Sequence, residues 1–147
     1  MKISSTLSPA SLAGLLGLTL LAAGCSNMQE DVRLTLCKDM VISRLGTSQP
    51  VTWEGNATEL RGYEDASIRV EFSAGGRDGQ AVCYYRYNAV EDTALTLSDP
   101  LSAYSTSPSK MTLNGQTLSK SELARAVKDA MLKQGRELVD KAKNGFQ

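Results

Sequence analysis

Histidine is absent from all 147 residues of this chain, and that gap removes more chemistry than any motif adds. Without imidazole there is no common general base, no usual zinc ligand and no charge switch near neutral pH. Ser-His and Cys-His nucleophiles are impossible. No glycine-rich segment ends in Gly-Lys-Ser/Thr ahead of a helix, which excludes a phosphate loop. Asp78 sits among Gly75, Gly76 and Gly79, but the alternating acidic ligands of a calcium loop are missing, so this stretch reads as a turn. No C-x-x-C pair is present. Formal charge sums to zero and tells nothing of partners as a whole.

What the chain does have begins at its first residues. Lys2, the only charge in the first two dozen, precedes an apolar run from Leu12 to Ala23 that is too short to span a bilayer comfortably. The run closes on Leu21-Ala22-Ala23-Gly24-Cys25, which resembles the lipobox of bacterial lipoproteins. The resemblance implies cleavage before Cys25, with Ala23 and Gly24 small enough for the peptidase, and a lipid such as palmitate on the Cys25 thiol. Ser26, where an Asp would retain the protein in the inner membrane, implies the outer membrane and a periplasm-facing domain. An ordinary secretory peptide with an incidental cysteine is the plain alternative. A spanning anchor is disfavoured by polar Ser26-Asn27. The expected organisation is a signal peptide over residues 1–24, a lipidated tether over 25–30 and a single periplasmic α+β domain over 31–147. Five extended residues reach about 17 Å, so that domain stays close to the membrane surface.

Helical periodicity starts at Asp31. Val32, Leu36 and Met40 form one stripe, Cys37, Val41 and Leu45 the adjoining one; acids precede the helix and Gly46 stops it. Three strands are expected next. The first, from Val51 to Glu54, is interrupted at Gly55-Asn56 and resumes near Glu59–Tyr63. The second alternates over Ser67–Ser73, and the third runs from Gln80 to Tyr87. Their short connections favour an antiparallel meander. Residues 88–110 carry no clear pattern, and Tyr104–Lys110 reads as exposed loop. Asn114-Gly115 centres a hairpin over Met111–Leu118. Ser119 and Glu122 then form a capping box for a helix over about Lys120–Lys143. Its expected buried stripe is Leu123, Val127, Met131, Leu138 and Ala142, packed on the domain rather than lying on lipid. The fold class is α+β: an N-terminal helix on a small antiparallel sheet, then a hairpin and a C-terminal helix.

Once Cys25 is spent on lipid, Cys37 and Cys83 remain, an even count in an oxidising compartment. Cys37 lies on the inner stripe of the helix and Cys83 in mid-strand, so a disulfide would pin helix to sheet. A redox-active pair is the alternative, without C-x-x-C spacing to support it. Two cysteines without histidine make a poor zinc site. Cys37, Val41, Leu45, Val70, Phe72 and Cys83 together resemble small proteobacterial periplasmic domains that share such a helix-to-strand pair; no activity comes with that resemblance.

Charge is distributed unevenly. Residues 25–118 carry 8 basic and 12 acidic side chains, residues 119–147 carry 7 and 4. Glu64-Asp65 and Glu91-Asp92 fall in turns and read as solvated. Trp53 reads as packing, and the Asn56-Ala57-Thr58 sequon as chance. Tyr84 and Arg86 are the best candidates for partner binding, because they point away from the face that carries Cys83, and Tyr and Arg anchor interfaces. No catalytic residue, metal, cofactor or nucleic-acid partner is expected. The function expected is a non-enzymatic lipid-anchored module that binds or braces an envelope protein. The alternatives are an inhibitor or immunity-type lipoprotein that blocks a periplasmic or cell-wall enzyme, and a histidine-free hydrolase or transferase.

Overall fold

The computed structural model describes residues 30–46, 50–88 and 98–145. The signal-like segment, Cys25, the rest of the tether before Glu30, Glu91-Asp92 and Phe146 lie outside them. The elements are α1 (Val32–Leu45), β1 (Val51–Leu60), β2 (Asp65–Ala74), β3 (Arg77–Arg86), a 3-10 turn (Pro100–Ala103), β4 (Lys110–Leu113), β5 (Gln116–Thr117) and α2 (Lys120–Gly145).

Local chemistry sets the ends of these elements. Asp31 caps α1 by accepting from the Arg33 backbone N–H at 2.8 Å. Gly46 ends it at φ 55°, a left-handed conformation that glycine adopts without strain. The β2–β3 and β4–β5 hairpin turns each use two residues at positive φ: Gly75 and Gly76 at 58° and 74°, Asn114 and Gly115 at 49° and 80°. At α2 the capping box forms as its sequence implies. The Ser119 N–H donates to the Glu122 carboxylate at 2.9 Å, and the Glu122 N–H donates to Ser119 Oγ at 3.3 Å.

The five strands follow chain order, β1-β2-β3-β4-β5, all antiparallel. β1 departs from expectation. It runs unbroken through Gly55-Asn56 because a bulge between Trp53 and Gly55 absorbs the irregularity within the ladder. Gly79 is likewise a strand residue and not part of the turn. A Cβ there would lie 2.5 Å from Phe72 Cζ, so glycine lets the buried Phe72 ring lie against the β3 backbone.

Alternation sends Ile68, Val70, Ala81, Cys83, Tyr85 and Met111 to one sheet face, where they meet Leu36, Cys37, Met40 and Val41 of α1 in the core. The Cys37–Cys83 disulfide joins the two layers, with Cα atoms 6.1 Å apart. Val32 does not share that burial: it is exposed, and Arg33 takes the buried position of the first turn. The Arg33 guanidinium donates to the Ser105 carbonyl at 3.0 Å and the Tyr104 carbonyl at 2.6 Å, and it pairs with Asp31 at 3.2 Å. These bonds draw residues 104–105 onto α1. Tyr104 and Pro108 are buried and Lys110 opens β4, whereas Thr106, Ser107 and Ser109 are exposed, so the exposed-loop reading of this stretch holds only in part.

The other side of α1 carries α2, which runs antiparallel to it. Asp39 lies opposite Lys133 and Gln134, and Ser43 opposite Asp129. The contact is made by Ala126 and Ala130, and the expected stripe is wrong for most of its length. Leu123 and Val127 are half-buried, whereas Met131 and Leu138 are 57% and 67% exposed and Ala142 is also exposed. Small residues let the helix axes approach closely, and Asp39 recruits Lys133 and Gln134 to the same side. That rotation turns the large apolar residues outward.

Replacing Cys37 and Cys83 together by Ala is expected to lower the unfolding free energy by about 4 kcal/mol, from the entropy of the loop it closes. Leu138→Ala is expected to change the unfolding free energy by less than about 0.5 kcal/mol, as for other solvated positions. Denaturant titration of the variants checks both.

Candidate functional site

Alternation that sends Cys83 inward sends Tyr84 and Arg86 to the opposite face of the sheet, where the start of α2 borders them. Tyr84 sits in a cross-strand row between Ser67 of β2 and Lys110 of β4. The Lys110 ammonium stands 4.8 Å from its ring centroid, and the Arg61 guanidinium 5.9 Å from it. Two cations against the ring draw on the negative quadrupole of its π faces. Ser109 fixes the strand edge beside it, its backbone N–H donating to the Tyr84 carbonyl at 2.8 Å.

A shallow cleft opens here between the outer sheet face and the start of α2. Arg61, Arg86, Lys110 and Lys120 contribute four positive charges to its walls, and Asp65 is its one acid. Asp65 is engaged by Arg61, Nε to Oδ1 at 2.9 Å. The surplus of positive charge suits an acidic group on a partner, with Tyr84 as the flat apolar element under it.

The tyrosines that crowd together in sequence are separated by the fold. Tyr85 is buried, and its hydroxyl donates to the Arg33 carbonyl at 2.8 Å. Burial keeps this phenol neutral by pushing its pKa far above the ordinary value. Tyr87 belongs to another cluster, packed edge-on between Tyr63 and Tyr104 with ring centroids 5.1 and 5.6 Å apart. Burial also raises the Tyr104 pKa, and the phenol donates to the Gly62 carbonyl at 2.7 Å. The ladder runs from buried Tyr104 out to Tyr63, which is 86% exposed on the β1–β2 turn. Tyr63 and Tyr104 lie 41 positions apart in the chain, so no local pattern signals their meeting. Arg33 and Asp39 went equally unread in the sequence, since a charged residue on a helix ordinarily faces water.

The described residues hold no group of three or more Cys, Asp or Glu able to ligate a metal. Trp53 packs edge-on against Phe72, with ring centroids 6.1 Å apart, as its reading as a packing residue required. Comparison with protein families, with curated proteins and with solved structures finds no match. The functional reading therefore rests on this geometry and on the N-terminal sequence.

Stability is expected to hold through neutral pH and to fall on both sides. The Glu122 carboxyl is held below its ordinary range by the hydrogen bonds from Ser119, so its contribution is present above that range and is lost as pH drops through it. Tyr85 and Lys133 act in the opposite direction. Tyr85 stays neutral in the fold where the unfolded chain ionises, and the Asp39 carboxylate raises the Lys133 pKa through its hydrogen bond. Both contributions are complete below about pH 10 and decline as pH rises past it. Tyr85→Phe, which cannot ionise, should lose about 1 kcal/mol at pH 7 from its missing hydrogen bond and show a shallower alkaline decline. Urea titrations at pH 7 and pH 11 check this.

Proposed function

We propose that this protein is a lipid-anchored envelope protein, held to the outer membrane through Cys25 and facing the periplasm, that works as a non-enzymatic binding or structural module. The lipobox-like segment ahead of Cys25 supports the anchor. The disulfide supports an oxidising compartment, because such bonds persist outside the reducing cytosol. The single observation that carries the binding role is Tyr84 held under Lys110 and Arg61 on an open sheet face, with Arg86 and Lys120 beside it. Such a surface selects an envelope protein that presents acidic side chains.

A second reading is favoured by Tyr63. It projects from a tight turn closed by the Arg61 N–H donating to the Asp65 carbonyl at 2.9 Å and the Glu64 N–H donating to the Arg61 carbonyl at 3.2 Å. A rigid turn tipped by an exposed aromatic is the shape of a plug, as an inhibitor of a periplasmic or cell-wall enzyme would need.

Cys25→Ala is expected to abolish fatty-acid labelling and leave unprocessed precursor; labelling and cleavage that persist at the same bond would refute the anchor. For binding, membranes from cells carrying the lipidated protein are cross-linked and the bait recovered. Lys110→Glu with Arg86→Glu should lose the cross-linked partner at least tenfold while fold and lipidation remain. A partner lost with Tyr63→Ala and kept by the charge reversals would select the inhibitor reading.

A further inference from the structure

We propose that the outward face of α2 lies on an anionic lipid surface, so that the domain is held flat against the membrane that anchors it. The proposal rests on the reading of Cys25 as the anchor. Its basis is a helix that is apolar on two opposite sides. At 100° per residue, Met131, Leu132, Gly135, Leu138 and Val139 fall within an arc of about 120°. Ala126 lies opposite the middle of that arc, buried against α1 together with Ala130. Packing against α1 therefore leaves the second apolar face uncovered: Met131, Leu132, Leu138 and Val139 are each 50–67% exposed. Gly135 sits at its centre, where an added Cβ would meet nothing within 4 Å.

Charge on α2 is sorted by side. Lys128 stands within the exposed arc, and Arg125, Arg136 and Lys143 line one border, all four exposed. The acids lie about 120° or more from the centre of the arc. Glu122 pairs with Arg44 of α1 at 2.9 Å, and Asp129 accepts from Ser43 of α1 at 3.2 Å. Glu137 pairs at 3.4 Å with Lys133, which itself reaches Asp39 of α1. Asp140 stands at the border of the apolar face beside Arg136 and Lys143. An apolar strip edged by cations, with Glu122, Asp129 and Glu137 turned away, is the pattern of a helix lying in the plane of an anionic bilayer surface. A second copy of this chain fits less well, because two such faces would bring like charges together.

The geometry of attachment agrees. Asp39 opposite Lys133 and Gln134 places the N-terminal end of α1 alongside the C-terminal half of α2, so the chain leaves Glu30 at that end. Packed helix axes lie about 9 Å apart and a helix with side chains has a radius of about 5 Å. The α1 axis then stands about 14 Å above a surface touched by the outer face of α2. The residues from Cys25 to Glu30 reach about 17 Å when extended, enough to span that height.

The test uses the full lipidated protein in vesicles of phosphatidylglycerol and phosphatidylethanolamine containing brominated acyl chains. A tryptophan is introduced at the α2 face, Leu138→Trp, or on the outer sheet face, Arg69→Trp, with Trp53 as the common background. Strong quenching of Leu138→Trp and none beyond background for Arg69→Trp is expected. Adding Lys128→Gln and Arg136→Gln, or replacing the lipids by phosphatidylcholine, should bring the Leu138→Trp signal down to the Arg69→Trp level, since each cation is worth about fivefold in partitioning to an anionic surface. Gly135→Leu should deepen the quenching without a loss of stability. If the protein floats with the vesicles and Leu138→Trp is not quenched, the α2 proposal is overturned and the anchor stands; a doubled mass on sedimentation would then assign the face to a second copy. If the protein carries no lipid, the anchor reading fails, and quenching by vesicles added to the free protein still decides for or against α2.

Discussion

The fold depends on α1 being covered from two sides. A helix of 14 residues is marginal by itself, and its stability has to come from packing. The sheet supplies one cover and α2 the other, and each is fastened to α1 by a specific bond. On the sheet side the Cys37–Cys83 disulfide and the Tyr85 hydroxyl on the Arg33 carbonyl hold the layers in register. On the α2 side the buried Asp39 carboxylate takes hydrogen bonds from Lys133 and Gln134. A buried charge is tolerated only where it is paired and hydrogen-bonded, so Asp39 fixes how α2 is rotated about its own axis.

That rotation links architecture to surface chemistry. With Ala126, Ala130, Lys133 and Gln134 committed to α1, the large apolar residues of α2 point outward together with most of its cations. Meanwhile the outer sheet face presents Tyr84 among basic side chains. The α2 face suits lipid, because it is apolar and cationic. The sheet face suits an acidic protein, because its cations surround an aromatic ring.

Much of the fold was legible from residue order. Alternation over Ile68, Val70 and Phe72, the capping box at Ser119 and Glu122, the Asn114-Gly115 turn and the pairing of Cys37 with Cys83 all follow from local or compositional rules. The interruption expected at Gly55-Asn56 failed because a bulge is settled by cross-strand pairing, which one strand alone does not display. Tyr84 and Arg86 were readable because strand alternation is strict. Arg61 and Lys110 were not, since they reach Tyr84 from other strands and a neighbouring turn.

By itself the amino-acid order determined element types, helix ends, hairpin turns and the strand faces, because these rest on interactions within a few residues and on the period of two or 3.6. Only tertiary structure decided which side of α2 is buried. Its periodicity offers two apolar faces, one small and one large, and hydrophobicity alone favours burying the large one. Close approach to α1 through Ala126 and Ala130, with Asp39 demanding partners from the same side, outweighs that preference. The burial of Arg33 was decided in the same way, by carbonyls at Tyr104 and Ser105 more than seventy positions away.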